Sequence, residues 1–542
     1  MATERSGQPQ RHPMSAQDLD FPPLPPGGDD GGTNIWQGGG TTFNGRTPST
    51  NDLWLQILSV SLSNSAANLV IHPPWNVANG VYELLYCTNL SPPISWQWLL
   101  RTTPGQTNLT VFNASDPQGF YRLEVPTDST GTDFWLAFPN LLPLSWSTNL
   151  WLYVSSPLAT AGTVTIPGFG ITNAFSVAAG MVTSISIDPS VMIADYDVVE
   201  TYGIHLTASQ PVSVVAMKYD LYVSASFNCL PVTFAGTNYC VMARPTLIDG
   251  VGRSQFAIVA TADNTTVSIT PSPNANLFNH TNSYQTNLMQ GQTYQIGTTN
   301  GDSTSDVTGT WIASDKPVVL LAGASVAYVP DSTQAANPLV QEQLPLDTWG
   351  EQALALSFAG KTGGDSYRVL AAADDTVVFT NGVVAGTTNA GEYLDFILDG
   401  PVEFRANHPI QVAQFAKGGD FDYAEGDPCE ILLPPTGRYL QTNIVFTLPP
   451  YGYNTTGDFD QNYLNIIVPQ SALTNTLVDG STVDATNFVP IGTSGYYGAQ
   501  IPRTNDLYEA TTHTVTSSQP VGVEVYGFGE YDAYGYFGGI VR

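Results

Sequence analysis

Residues 207–220 read TASQPVSVVAMKYD, and nearly the same phrase returns as ASDKPVVLLAGASV at 313–326, ANHPIQVAQFAKGG at 406–419 and SSQPVGVEVYGFGE at 517–530. Each copy has a polar lead-in, then a proline (Pro211, Pro317, Pro409, Pro520), then V-x-V or I-x-V, or in the second copy the apolar run VVLLAG. Proline has no N–H to give to a ladder and holds the residue before it extended, so the phrase predicts the start of a strand. A strand phrase that recurs roughly every 100 residues marks a body built from repeated units.

Further anchors accompany each copy in the same order. A glycine turn precedes it, at Gly180, Gly291, Gly391 and, more weakly, Gly495. Earlier still comes a strand pair with a polar turn, as in NLWLYVSSPLATAGTVTIP, FAIVATADNTTVSITP and YRVLAAADDTVVFTNG, with a looser fourth version. Leu-Pro or Pro-Pro then stands a few residues before a glycine that begins the next unit, as in CLPVTFAGTNY, QLPLDTWGEQA and LLPPTGRYL. The order predicts four related units at 131–231, 236–345, 350–435 and 437–542.

Ahead of them, six strand-length runs between turn residues predict a small β-sandwich at 51–126. Trp54, Trp96 and Trp98 read there as core, with a sugar-stacking surface as the alternative. Residues 1–50, with PPLPPGGDDGG and WQGGGTT, predict a flexible arm, or one ordered by assembly. The expected fold is therefore all-β: an N-terminal extended arm, a small β-sandwich, and four β-sandwich-like units in tandem. A propeller-like closed ring is the alternative, in which each unit would have to supply two blades.

Composition agrees. Fifty Gly and 39 Pro in 542 residues favour short strands and tight turns. Sixteen Lys and Arg against 46 Asp and Glu leave a net charge of −30. That charge repels phosphate backbones and anionic lipid, so nucleic acid is not an expected partner. The first 35 residues hold no apolar signal-like run, and no window is long and apolar enough for a membrane span.

Motifs for chemistry are sparse. The six histidines (His12, His72, His205, His280, His408, His513) show no HExxH or paired spacing, and no GxSxG occurs. No catalytic residue is assigned. His205 and His513 precede their prolines at matching places, which argues for architecture. Cys87, Cys229, Cys240 and Cys429 form no CxxC; Cys229 and Cys240 could close a small loop or stay as free thiols. The candidate metal site is KGGDFDYAEGDPCE at 417–430, with Asp420, Asp422, Glu425 and Asp427. Calcium takes about six to eight oxygens, and alternate acids in a turn supply several. The spacing is not that of an EF-hand, and a solvated acidic loop competes with it.

GTDFWLAFP, YGIHLTASQPVSVVAMKY, FAIVATADNTTVSITP, LMQGQTYQI, TGTWIASDKPVVLLAG, QEQLPLDTWG and YGFGEYDAYGYFGG resemble the bacterial members of the IgGFc-binding-protein N-terminal domain family, over about 131–542. The resemblance implies an extracellular or cell-surface protein without enzymatic activity. It would adhere to or bind a protein or glycan surface ligand. A self-associating subunit of a fibre, sheath or shell is the competing expectation, and a polysaccharide-active enzyme the third.

Overall fold

The computed structural model describes residues 35–36, 54–61, 66–73, 82–88, 97–102, 106–111, 119–124, 127–141, 148–220, 222–247, 250–449, 459–503 and 509–542. They form two compact units, 1–126 and 127–542. Among them there is no α-helix; the helical pieces are single 3-10 turns. The all-β expectation holds.

In the smaller unit, Trp54–Ser61, Ala66–His72 and Asn108–Val111 form an antiparallel run joined at its edge by Ile35–Trp36 in parallel. Glu83–Cys87, Gln97–Arg101 and Phe120–Glu124 form a second sheet. Leu55, Leu69, Ile71, Leu84, Tyr86, Leu109, Tyr121 and Leu123 share one core. The side chains of Trp54, Trp96 and Trp98, and the arm apart from Ile35–Trp36, lie outside the described residues.

The larger unit is built on four long strands, Ile204–Tyr219, Trp311–Tyr328, Val402–Phe415 and Thr511–Gly529. Each carries one of the recurrent prolines inside it, so the expected strand start is corrected: the proline marks a bend. At each bend the pairing register shifts, between Thr207 and Val212 in the first strand and at the matching place in the other three. Before the bend the strand pairs in an outer set, and after it in an inner set. Thus 204–208 lie beside Gly131–Leu136 and Thr160–Ile166, while 213–219 lie beside Asn149–Ser156 and Ala225–Cys229. A residue without an N–H suits the point where one ladder ends and another begins.

The sheets hold seven, eight, seven and eight described strands, with the same connectivity around each long strand. One strand of the second sheet, Val198–Glu200, comes from the chain ahead of the first long strand and pairs with Thr293–Gln295. The glycine turns recur in geometry as well as in sequence. Gly180, Gly291, Gly391 and the weakly matching Gly495 have φ of 72°, 74°, 75° and 77°, a conformation that disfavours any other residue.

Past the bend, both faces of the long strand are buried. Val212, Val214 and Ala216 pack within the first unit's own core, whereas Val215, Met217 and Tyr219 pack with Val445, Phe446, Leu464 and Val523 of the fourth. Val318, Leu320 and Ala322 likewise face one core while Val319 and Leu321 face another, shared with the first unit. That is why VVLLAG reads as a continuous apolar run and not as an alternation. Burying each such side chain contributes roughly 1.5–3 kcal/mol. Three or four per contact rival the whole net stability of a typical domain, roughly 5–15 kcal/mol. The units therefore stabilise one another.

They also close on themselves. After each long strand the chain turns into a short axial strand: Ala225–Cys229, Ala336–Glu342, Glu430–Leu433 and Asp532–Phe537. The four gather side by side. Gln341 Nε2 donates to the carbonyls of Ser226 (3.1 Å), Glu430 (2.6 Å) and Gly535 (3.4 Å), one from each other unit. The Asn228 amide donates to Phe537 O at 2.9 Å, and Leu230 N–H to Glu342 Oε2 at 3.0 Å. The seam between last and first units is tied by Ser129 N–H to Ile540 O and Arg542 N–H to Thr127 O, both 2.8 Å. The sandwich-like units thus run in tandem along the chain and close into a ring, the arrangement held as the alternative. Each unit contributes a single bent, two-sheet wedge and not two blades.

The Leu-Pro to glycine anchor has a packing cause. A Cβ on Gly350 would stand 2.6 Å from Pro435 Cβ, and one on Gly236 2.5 Å from Pro345 Cβ. In the first three units the first glycine thus admits the proline that ends the same unit, as Gly131 does Pro231. Gly350→Ala is expected to cost about 1–3 kcal/mol. Gly437→Ala, with open space around it, should stay within about 0.5 kcal/mol; denaturant titration of both checks the argument. Gln341→Leu, which leaves buried carbonyls short of a donor, should cost about 1–3 kcal/mol in the same assay.

Candidate binding surface at the hairpin end

Each long strand reaches its axial strand through a hairpin, and the four hairpins (220–224, 329–335, 416–429 and 530–531) meet at one end of the ring. Ser224 N–H and hydroxyl donate to the Asp532 carboxyl at 2.9 and 2.6 Å, and the Asn337 amide donates to it at 3.3 Å. Gly418 N–H donates to Val329 O at 2.9 Å. A Cβ on Gly426 would run into the ring of Phe528. Tyr222 and Tyr531 meet edge to face at 5.6 Å and 88°.

This end displays aromatic rings. Tyr423 is 95% exposed, Tyr531 60% and Phe421 39%. Tyr222, Tyr423 and Tyr531 all have φ near +60° (64°, 58°, 56°), unusual for a bulky residue and a cost that the surrounding contacts must offset. Three of the four related hairpins hold a tyrosine in that conformation; Tyr423 and Tyr531 are exposed and Tyr222 is half-buried. Asp420, Glu425 and Glu530 are exposed beside them, and the half-exposed Asp331 pairs with the buried Arg244 at 2.9 Å.

The four expected calcium ligands lie in one of these hairpins but diverge. Asp422 accepts from Thr362 N–H (2.8 Å) and Ala424 N–H (3.2 Å). Glu425 accepts from the Gln461 amide. Asp420 points to solvent and Asp427 is buried. Lys361 and Lys417 stand among them, donating to Gly426 O and Thr362 O, both at 2.8 Å. Among the described residues no three His, Cys, Asp or Glu side chains converge as a metal site. Asp422 serves as a cap for backbone N–H groups, and Glu425 as a partner for Gln461.

The other singled-out residues are part of the frame. His205 stacks on Trp135 at 4.3 Å and meets Asp133 at 2.8 Å. His513 sits between Asp479 (2.9 Å) and Thr447 (3.0 Å). All four cysteines are buried, and Cys229 and Cys240 are free thiols that do not close the small loop. A recess of about 20 Å³ touches Ser155, Asn228, Phe446 and Tyr536, room for about one water. Within the Tyr/Gly-rich ending YGFGEYDAYGYFGG (526–539), Asp532–Phe537 is buried as the fourth axial strand, where a Cβ on Gly535 would stand 2.9 Å from Ile431.

The profile of the family described as IgGFc binding protein matches residues 224–527, from the first axial strand to the fourth long strand and more than half of the chain. The chain belongs to the IgGFc-binding protein family. The IgGFc-binding protein of Homo sapiens is 24% identical over 260 residues, which are 47% of this chain and 4% of that protein. The chain thus spans a small fraction of that relative's length. A solved Ca2+-stabilized adhesin that helps an Antarctic bacterium reach out and bind ice aligns at 11% identity with a TM-score of 0.11, over 71% of this chain and 98% of that one. That value is too low to indicate a shared fold. Among the described residues of this family member, no helix is long and apolar enough to cross a membrane.

Beneath the hairpins the floor is polar and buried. Lys218, fully buried, donates to Val223 O at 2.9 Å and stands 3.8 Å from Asp220. Burial pushes its pKa down to about 8 against the pull of Asp220 and Asp532. Burial also pushes Asp532 and Asp427 up to about 7 and Glu430 up to about 8. In the unfolded chain these carboxyls titrate near 4, so between about pH 4 and 8 the folded state binds more protons and stability falls as pH rises. The slope from Lys218 lies above pH 8, outside that window. The urea midpoint should therefore be lower at pH 7.5 than at pH 5, and Asp532→Asn should flatten the difference. A midpoint that rises over this range would contradict the assignment.

Proposed function

We propose that the protein is a non-enzymatic, extracellular or cell-surface binding module that engages its ligand with the hairpin end of the ring. The observation that carries this reading is the display of Tyr423, Tyr531 and Phe421 on hairpins whose backbones hold two of these tyrosines at positive φ. Tyrosine supplies a large, stiff contact area at little entropic cost, which suits it to recognition surfaces. Membership of a family described as binding proteins supports the same reading. The human relative is named for IgG Fc, and that ligand is not carried over. Full-length chain carrying Tyr423→Ser and Tyr531→Ser together should lose about tenfold or more in affinity on protein and glycan arrays with its melting curve unchanged. Retention of every wild-type signal by this variant would refute the reading.

Self-association is a second reading, favoured by one feature. Val383–Thr388 is the edge strand of the third sheet, and its Val383 and Val384 are 69% and 60% exposed. Exposed apolar edges are templates for pairing with another chain. Val383→Lys should then abolish any concentration-dependent polymer seen by light scattering; a chain that stays monomeric at all concentrations removes this reading.

A further inference from the structure

Resting on that reading of the hairpin end, we infer that its ligand is a basic one: a peptide segment or protein face presenting clustered arginine or lysine side chains. The first argument is chemical precedent within the same end. Lys417 Nζ lies 3.6 Å from the centre of the Phe421 ring, Lys361 Nζ 5.0 Å from that of Phe528, and the Arg244 guanidinium 4.9 Å from that of Phe415. Three of the chain's 16 basic residues thus already rest on aromatic faces here. Tyr423 and Tyr531 offer faces of the same kind to solvent, and an aromatic face attracts a cation through its quadrupole.

The second argument is charge. Asp420, Glu425 and Glu530 are exposed around these rings, while the nearby cations are tied inward. Lys361 and Lys417 are spent on backbone carbonyls and Arg244 on Asp331. Behind the acids, Asp427 is 6% exposed and its Oδ1 has no hydrogen-bond partner. With a net charge of −30, the end attracts cations over distance and repels anions.

The third argument separates a cation from a sugar. A saccharide stacks on a flat platform, whereas Tyr222 and Tyr531 stand at 88° to each other. The exposed Tyr531 ring, edge to face with Tyr222 and next to Glu530 in the chain, offers a contact for a cationic side chain and not a flat stacking platform. Arginine fits it better than lysine, since its planar group can stack on a ring and pair with a carboxylate at once.

The test is isothermal titration of the full chain with oligo-arginine, oligo-lysine and oligo-glutamate peptides and with neutral cellulose and chitin oligosaccharides. Oligo-arginine should bind tightest and oligo-glutamate not at all. Tyr423→Ser with Tyr531→Ser should weaken oligo-arginine binding about tenfold. Asp420→Asn with Glu530→Gln should weaken it and lower its dependence on salt. Glu351→Gln, an exposed acid in the strand that begins beside Pro435, should leave it unchanged. If Glu351→Gln weakens binding as much as the hairpin acids do, or the tyrosine variant binds oligo-arginine as wild type, the attraction is only bulk charge and the inference is overturned. If an uncharged saccharide binds at the tyrosines instead, the inference falls while the hairpin end stands as the binding surface.

Discussion

The amide of Gln341 reaches three carbonyls, and each belongs to a different unit. That single side chain expresses the constraint on the rest of the structure: four short strands must share one axis. An axis of close-packed strands leaves backbone groups with no sheet partner on that side, and burying them unpaired would cost several kcal/mol. Ser224, Ser226, Asn228, Asn337, Gln341 and Asp532 supply what the backbone lacks. A polar centre is therefore a condition of the ring and needs no ligand to account for it.

The proline bend follows from the same constraint. A strand that ran straight could serve the outer sheet or the axis, but not both; by bending at Pro211, Pro317, Pro409 or Pro520 one strand serves each in turn. Its second half is then covered on both faces, by its own wedge and by the preceding one around the ring. The buried Arg368 fixes one such contact. It donates to Asp306 at 2.5 Å and to Asp395 at 2.7 and 2.8 Å while covering the Tyr393 ring at 3.7 Å. Burial opposes charge on both Arg368 and Asp306, yet their mutual attraction prevails. It holds the carboxyl below its usual range and the guanidinium above its own. Replacing either partner alone would leave a buried charge without its complement.

Repetition was legible because its causes are local. A positive-φ glycine, a proline without an N–H and a glycine that admits a proline each leave a one-residue trace, and even the faint Gly495 has the geometry of its fellows. What the proline does was not legible, since the loss of an N–H suits a strand start and a bend equally. Only the partners on either side distinguish them. Ring closure was open for a similar reason. VVLLAG shows that both faces are covered but not by what. The course of the acidic loop was not legible, because spacing along a chain does not give position in space. A 3-10 turn at Gly419–Phe421 separates Asp420 from Asp422, and Lys361 and Lys417, some 60 and a few residues away in sequence, enter the loop.

The ring explains why the places where the copies differ most coincide in space. The acidic loop at 416–429 and the turn at 530–531 are about a hundred residues apart, yet both follow a long strand and precede an axial one. Pseudo-symmetry therefore delivers them to the same end, together with Tyr222. The Tyr/Gly ending divides between two duties. Gly527 and Gly535 let strands approach closely, with a Cβ on Gly535 meeting Ile431 at 2.9 Å, whereas Tyr531 is placed on the tip of the turn. Scaffold and surface thus alternate residue by residue in one stretch, and composition alone blends them. The scaffold residues are fixed by the axis; the tip residues contact little of it and are free to specify a partner.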